Sequence, residues 1–340
     1  MNTVSLSETC KVLVLSLVEG VTEWLPVSST GHLLLCGGWL AISSFSAPFF
    51  SLFLYVIQLG AILAVPTVYA RTSPLFALRE NGLCRTLSLW RPVLVGVIPA
   101  AAAGLLLDDA LDRLLSDGAR VRVVAVALIF YGVLFLFPRP RPSVVDARKI
   151  GVGRALVIGC FQVLSIVPGT SRSGSCLLGG RAAGVADPAA AEFSFLMAIP
   201  VMVSVSALKI GKFAVRSAAG APGYELDPRA LCLLVLGFLV SFLVSLPVIR
   251  GLCGFVRRHG LFPFGVYRII LGTAVLLWGE WDGFTAIRRY RGATYNITVK
   301  NPNHVCKGVA SMEVNGQAVD GCIVPITDGQ KEYNVVITMG

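Results

Sequence analysis

Residues 19–32 read EGVTEWLPVSSTGH, a stretch that sets two carboxylates, several hydroxyls and an imidazole between apolar flanks. Glu19 and Glu23 stand four apart, so on a helix both project from one face. Two carboxylates on one face of an apolar segment cannot both stay ionised without a counter-charge. They call for a divalent cation, a nearby arginine or a retained proton. Solvated glutamates on a helix beside a water-filled vestibule are the plainer alternative. Ser28, Ser29, Thr30 and His32 follow Pro26, which breaks one helix and helps to start the next segment. A helix starting near Ser28 presents free amides and a positive dipole end to an anion. Ser29 and His32 are three apart and share a face of that turn. A hydroxyl beside an imidazole is the smallest unit of an activated nucleophile. Taken alone, the same spacing more often means a helix cap and a core histidine.

A second polar stretch, PGTSRSG at 168–174, carries complementary chemistry. Gly169 and Gly174 let backbone approach a ligand closely, and Thr170, Ser171 and Ser173 offer hydroxyls. Arg172 offers a planar fork suited to two-point contact with phosphate, and burial cannot neutralise it. Alone, this is a common glycine- and serine-rich turn with an exposed arginine. Its weight lies in the pairing of acids and a nucleophile in one stretch with a phosphate clamp in the other. The implied substrate has phosphate at one end and a body that tolerates lipid.

The elements that must position these groups are apolar. The chain has 340 residues, 55% hydrophobic and 14% charged, against about a quarter charged in a soluble globule. That deficit identifies an integral membrane protein. The net charge of +10 is spread over short loops, which reads as a topology signal and not as a nucleic-acid footprint. Nine cysteines are scattered without metal or disulfide spacing. Nor is a cleavable signal peptide evident.

Six segments approach the length of a membrane span: 48–70, 90–107, 121–137, 193–215, 230–249 and 262–281. The regions 12–42 and 150–180 hold shorter apolar runs interrupted by the two polar stretches, the pattern of re-entrant helix pairs. The expected fold is therefore an all-α polytopic membrane protein of six spans and two re-entrant hairpins. Three spans follow each hairpin, so the second half is inserted upside down relative to the first. Pro26-Val27-Ser28-Ser29 then matches Pro168-Gly169-Thr170-Ser171, and the two tips face each other near the midplane. Arginine-rich loops such as 139–154 and 250–258 mark the cytoplasmic side, opposite the acidic residues Asp108, Asp109, Asp112 and Asp117.

EGVTEWLPVSSTGHL and PGTSRSG, with VIQLGAILAV, FSFLMAIPV and YRIILG, resemble the undecaprenyl-diphosphate phosphatase family, the bacitracin-resistance proteins, over about residues 9–284. The resemblance implies hydrolysis of undecaprenyl diphosphate to the monophosphate and inorganic phosphate at a site open to the outer face of a bacterial plasma membrane. It implies that Glu19 and Glu23 hold a divalent metal, magnesium or calcium, and that Glu23 shares in catalysis. It makes Ser29 the nucleophile, with His32 as its base or acid partner, and gives Arg172 the diphosphate. Ser28, Thr30, Gly169, Thr170, Ser171, Ser173 and Gly174 then surround the phosphate. Gln162 fits the family pattern equally well as a helix–helix hydrogen bond. Arg268, in an apolar span, is expected to snorkel to the cytoplasmic end. Direct attack by water stays open, and so does formation of a homodimer; nucleic acid is not an expected partner.

Three domains of sequence follow: a membrane domain over 1–285, with repeats over about 1–140 and 150–285, a linker over 286–293, and a β-rich tail over 294–340. The tail alternates polar and apolar residues between Asn-Gly and Asp-Gly turns. It resembles the C-terminal end of disaccharide phosphorylases such as cellobiose phosphorylase, a partial β-sandwich whose catalytic domain is missing here. It is expected outside the cell. Two rival functions remain: a transporter flipping the lipid phosphate through the same inverted repeat, and a non-catalytic lipid-phosphate binder. Ser29 with His32 favours hydrolysis, since transport needs no nucleophile.

Overall fold

A computed structural model describes residues 6–29, 31–33, 40, 42, 45–70, 86–87, 90–104, 106, 117–138, 142–225, 227–279, 283–290, 293–302, 308–319, 321, 324 and 332–340. Helices come first: α1 (Leu6–Thr22), α2 (Ala47–Tyr69), α3 (Trp90–Gly104), α4 (Asp117–Leu136), α5 (Val152–Val163), α6 (Arg172–Ala182), α7 (Asp187–Ala218), α8 (Pro228–His259) and α9 (Phe262–Gly279). A short helical stretch also runs through Ser29 and 31–33. Helices occupy all six expected span segments. Four of them, α2, α4, α7 and α8, are long and apolar enough to cross a membrane; α3 and α9 are shorter apolar helices.

The two longest helices outrun the windows read from hydropathy. α7 and α8 each have 32 residues, which at about 1.5 Å per residue exceeds the roughly 30 Å hydrocarbon core. The ends of α8 are set by caps and not by apolar composition, whereas α7 begins after Ala186 without a side-chain cap. Asp227 accepts from the Arg229 amide at 3.1 Å to start α8, and Gly260, with φ 65°, ends it by donating to the Val256 carbonyl. At the head of α7, Arg181 grips Asp187 through two nitrogens at 2.9 and 3.0 Å.

Small residues bring the helices together. A Cβ on Gly265 of α9 would lie 2.8 Å from the Gly132 carbonyl, and one on Gly132 of α4 would lie 2.9 Å from the Gly265 carbonyl. One on Gly272 would lie 2.8 Å from the Ala125 carbonyl, so α4 and α9 touch backbone to backbone at two levels. Outward faces carry exposed apolar side chains such as Phe130, Ile270 and Leu277. Gly265→Val must push α4 and α9 apart, because the obstacles include backbone. The expected cost is about 3 kcal/mol or more, read as a lowered Tm of the detergent-solubilised protein; an unchanged Tm overturns this account of the α4–α9 seam.

The tail forms one five-stranded sheet in the order β1-β2-β5-β3-β4, with β1 (Gly283–Tyr290), β2 (Ala293–Lys300), β3 (Ser311–Val314), β4 (Gln317–Val319) and β5 (Glu332–Thr338). Residues 286–290 of the expected linker are strand, and the sheet begins at Gly283. The sequence missed β1 because GFTAIRRY places apolar and charged residues on both faces, without the alternation that marks a half-buried strand. Asn315 (φ 54°) and Gly316 (φ 80°) form the turn expected between β3 and β4. Tyr295 and Tyr333 stack at 4.8 Å in the small core with Met312, Val314 and Val335.

Candidate active site

α1 delivers the first acidic pair. Glu23 continues its helical turn, its amide donating to the Glu19 carbonyl at 3.0 Å. Both side chains are buried, Glu19 to 3% exposure and Glu23 to 7%. The chain then turns through Pro26 to Ser28, a non-glycine residue held at φ 70°. The Ser28 hydroxyl accepts from the Gly31 amide at 3.4 Å, which starts the helical stretch at Ser29. A second loop repeats this geometry. Ser171 stands at φ 72° and caps α6 by accepting from the Gly174 amide at 3.3 Å. Such left-handed serines are strained and persist only where surrounding contacts hold them.

The match pairs Ser28 with Ser171, and therefore Ser29 with Arg172. The expected register, set by the two prolines, is off by one. Pro168 precedes its left-handed serine by one residue more than Pro26 does, and the extra residue, Gly169 at φ 91°, packs where a Cβ would lie 2.7 Å from the Val124 backbone.

The two loops meet. Arg172 of the second reaches Glu23 of the first at 3.4 Å, and Ser173 donates to the Leu25 carbonyl at 3.2 Å. A cavity of about 240 Å³ lies between them, with Glu23, Ser28, Ser29, Gly169, Ser171 and Arg172 among its walls. Val167, Pro168, Val201, Met202 and Val205 make its apolar side. A separate cavity of about 270 Å³ beside Arg181 and Arg257 holds none of the predicted site residues.

Inside the first cavity the partners differ from those expected. Ser29 donates to Glu23 Oε2 at 3.1 Å, and no Ser29–His32 bond forms. Both His32 nitrogens are engaged elsewhere: Nδ1 donates to the Ser28 carbonyl at 2.7 Å, and Nε2 pairs with the Tyr267 hydroxyl at 2.6 Å. A carbonyl can only accept, so the proton on Nδ1 leaves Nε2 of the neutral ring as an acceptor. His32 thus buttresses the first loop, stacked on Tyr267 at 5.6 Å between ring centres, and does not line the cavity. Arg172 donates through Nη1 to the Ser194 carbonyl at 2.9 Å, while its buried Nε has no partner among the described residues.

The remaining predicted residues are placed as follows. Thr170 and Ser173 are buried under the second loop, Gly174 lies at the start of α6, and Thr30 lies outside the described residues. Gln162 accepts from the Cys176 thiol at 3.3 Å, a bond between α5 and α6, which is the helix–helix alternative. Three further residues were not read as part of the site. Gln58 of α2 lines the cavity with Glu23. Tyr267 and Arg268 come from α9. Arg268 does not snorkel: it is fully buried and donates to the Pro26 carbonyl at 3.2 Å, Gly169 at 2.9 Å and Thr170 at 3.0 Å. The signal was present, since a glutamine or arginine inside an apolar span is costly unless it has a task.

Two buried carboxylates one turn apart, with the Ser29 hydroxyl beside them, form a hard-oxygen donor set. Arg172 offsets one of the two charges. The described residues contain no cluster of three or more His, Cys, Asp or Glu side chains suited to a metal, so an all-protein cage is absent among them. The set fits an ion such as magnesium, which takes one or two carboxylates and fills its other positions with phosphate oxygens and water.

The family described as bacitracin resistance protein BacA matches residues 12–274. Undecaprenyl-diphosphatase 1 of Clostridioides difficile (strain 630) is 41% identical over 281 residues, covering 81% of this chain and 98% of its own length. Undecaprenyl-diphosphatases of Latilactobacillus sakei subsp. sakei (strain 23K) and Enterococcus faecalis are 43% and 42% identical over 273 and 279 residues. These cover 78% and 79% of this chain, and 96% of each relative. The matched residues end before the β-sheet begins.

Proposed function

The chain belongs to the bacitracin resistance protein BacA family, and from that membership and the shared cavity we infer a membrane phosphatase acting on undecaprenyl diphosphate. It releases inorganic phosphate and returns undecaprenyl phosphate, the lipid carrier of cell-wall synthesis, which accounts for bacitracin resistance. One observation carries the site assignment: Glu23 and Ser29 from one loop and Arg172 from another line a single cavity.

Phosphoryl transfer depends on positioning and on offsetting charge at the phosphate oxygens. In the proposed reaction the diphosphate lies against Arg172 and the amides at the start of α6, and the first prenyl units lie along Val201, Met202 and Val205. Ser29 Oγ attacks the terminal phosphorus, its proton passes to Glu23, and the bridging bond breaks as undecaprenyl phosphate leaves. Water then attacks the phosphoserine, returning the Ser29 hydroxyl and freeing inorganic phosphate. Glu23 replaces His32 as the acceptor of the Ser29 proton because Ser29 bonds to it. His32 and Tyr267 hold the loop. Glu19 and Glu23 would hold a magnesium or calcium ion, whose charge would stabilise the phosphate oxygens.

The proposed architecture has six spans and two re-entrant hairpins in an inverted repeat. Matching contacts support it: Gly132 against Gly265 pairs with Gly272 against Ala125, and Gly31 against Leu128 pairs with Gly174 against Arg268. We place the site and the terminal sheet on the outer face, from loop charge. The sheet is an appendage with no assigned sugar chemistry. Neither the relatives nor the site geometry favours the transport alternative.

Purified protein is expected to release phosphate from a prenyl diphosphate, to stop when divalent ions are chelated, and to resume when magnesium is restored. Release that persists under chelation removes the metal from this reading. Absence of release with magnesium present removes the phosphatase.

A further inference from the structure

Arg268 carries a charge into the centre of the helical domain, and it forms no ion pair with the described residues. Its guanidinium is satisfied by carbonyls instead. Nη1 donates to Pro26, and Nη2 to Gly169 and Thr170. Longer contacts at 3.5 Å reach Leu128 and Ala127 on α4. The rings of Tyr131 and Phe135 flank it at 5.5 and 5.6 Å. One rigid, planar group therefore joins both loops to the α4–α9 seam. The corresponding station on α4 holds Leu128, which faces Gly31 as Arg268 faces Gly174. Leucine only fills space there; the arginine bonds both loops.

We propose that Arg268 is a positioning residue for the reaction, fixing the separation of the two loops and hence of Ser29 from Arg172. Pro26 precedes Ser29 by three residues and Thr170 precedes Arg172 by two, so tethering these carbonyls sets where the nucleophile and the clamp start. Direct ties across the gap are few: the 3.4 Å Arg172–Glu23 pair and the 3.2 Å bond from Ser173. The first involves groups the substrate itself engages, so it cannot hold the gap during turnover. Arg268 is bonded to main chain only and is free to keep its hold throughout. The proposal rests on the phosphatase reading of the site.

The test measures phosphate release from a prenyl diphosphate by full-length Arg268→Lys and Arg268→Met, with Ser29→Ala as control. Lysine keeps the charge but presents it as a compact point that cannot reach carbonyls on both loops. Both variants are expected to elute as folded protein, with kcat lowered at least about 100-fold, as for a misplacement on the order of 1 Å. KM should stay within about threefold of wild type, since the clamp itself is intact. Wild-type kcat in either variant overturns the proposal. So does a raised KM at unchanged kcat, which would make Arg268 a substrate-binding group, or a kcat loss that only tracks the unfolded fraction. If neither variant folds, guanidinium is added to Arg268→Ala: recovered turnover supports the strut, and recovered folding without turnover overturns it. Absence of phosphate release by the wild type with magnesium present defeats the phosphatase reading itself, whereas an active wild type beside an equally active Arg268→Lys defeats the strut alone; normal turnover by Ser29→Ala removes only the covalent route.

Discussion

Arg172→Ala is expected to lower kcat/KM for undecaprenyl diphosphate at least about 1,000-fold, or about 4 kcal/mol of transition-state stabilisation. The loss is large because Arg172 is the cationic side chain on the cavity wall. Its Nη1 donates to the Ser194 carbonyl at 2.9 Å and its Nη2 to Glu23 at 3.4 Å, so the plane of the fork is set before an anion arrives. Folding should survive, since Glu23 keeps its bond from Ser29. Arg172→Lys should recover little, because one ammonium cannot serve the Ser194 carbonyl and a phosphate with the geometry of a fork. A lysine variant with near wild-type kcat/KM would reduce Arg172 to a general source of positive charge.

Glu23→Gln and Ser29→Ala are each expected to lower kcat by at least about 100-fold, with the double variant no worse than the poorer single one. Glutamine keeps the shape of Glu23 but cannot take a proton from Ser29. If hydroxyl and carboxylate act as one unit, removing either removes the whole contribution, and the losses do not add. Single-turnover phosphate release from the three purified variants measures this. Losses that multiply mean that the two groups act independently, and the 3.1 Å bond between them is then incidental to chemistry. Near-normal release by Ser29→Ala transfers the reaction to direct attack by water.

Both expected results depend on residues that the sequence had already singled out, yet the partnerships came from elsewhere. Ser29 and His32 share one face of a turn, and spacing alone suggested a catalytic pair. In the fold, Tyr267 from α9 takes one His32 nitrogen and the Ser28 carbonyl takes the other. Glu23, on the far side of Pro26, receives Ser29 instead. Short-range spacing predicts which side chains can meet; it cannot say which competitor a distant helix will bring. Arg268 was misread for the same reason. An arginine in an apolar span either snorkels or finds partners, and its partners Pro26 and Gly169 lie 242 and 99 residues away.

The terminal sheet divides along similar lines. Val314-Asn315-Gly316-Gln317 was legible as a hairpin because the turn needs two residues that tolerate positive φ, a local requirement. β1 was not legible, since its pairing with β2 gives it strand geometry that its own pattern lacks.

By itself, then, the sequence determined that the protein is helical and membrane-embedded, and it singled out two interrupted apolar regions whose acids, hydroxyls and arginine are the candidates for its chemistry. Hydropathy and chain-breaking residues act over a few positions, so these features need no knowledge of the fold. Tertiary structure alone decided which groups pair where the loops converge, that Ser29 faces Glu23 and not His32, and that Arg268 ties both loops to the α4–α9 seam. Those outcomes turn on the partners that α9 brings from far along the chain, since Tyr267 takes His32 and Arg268 takes the loop carbonyls, and a shift of about 1 Å exchanges one partner for another.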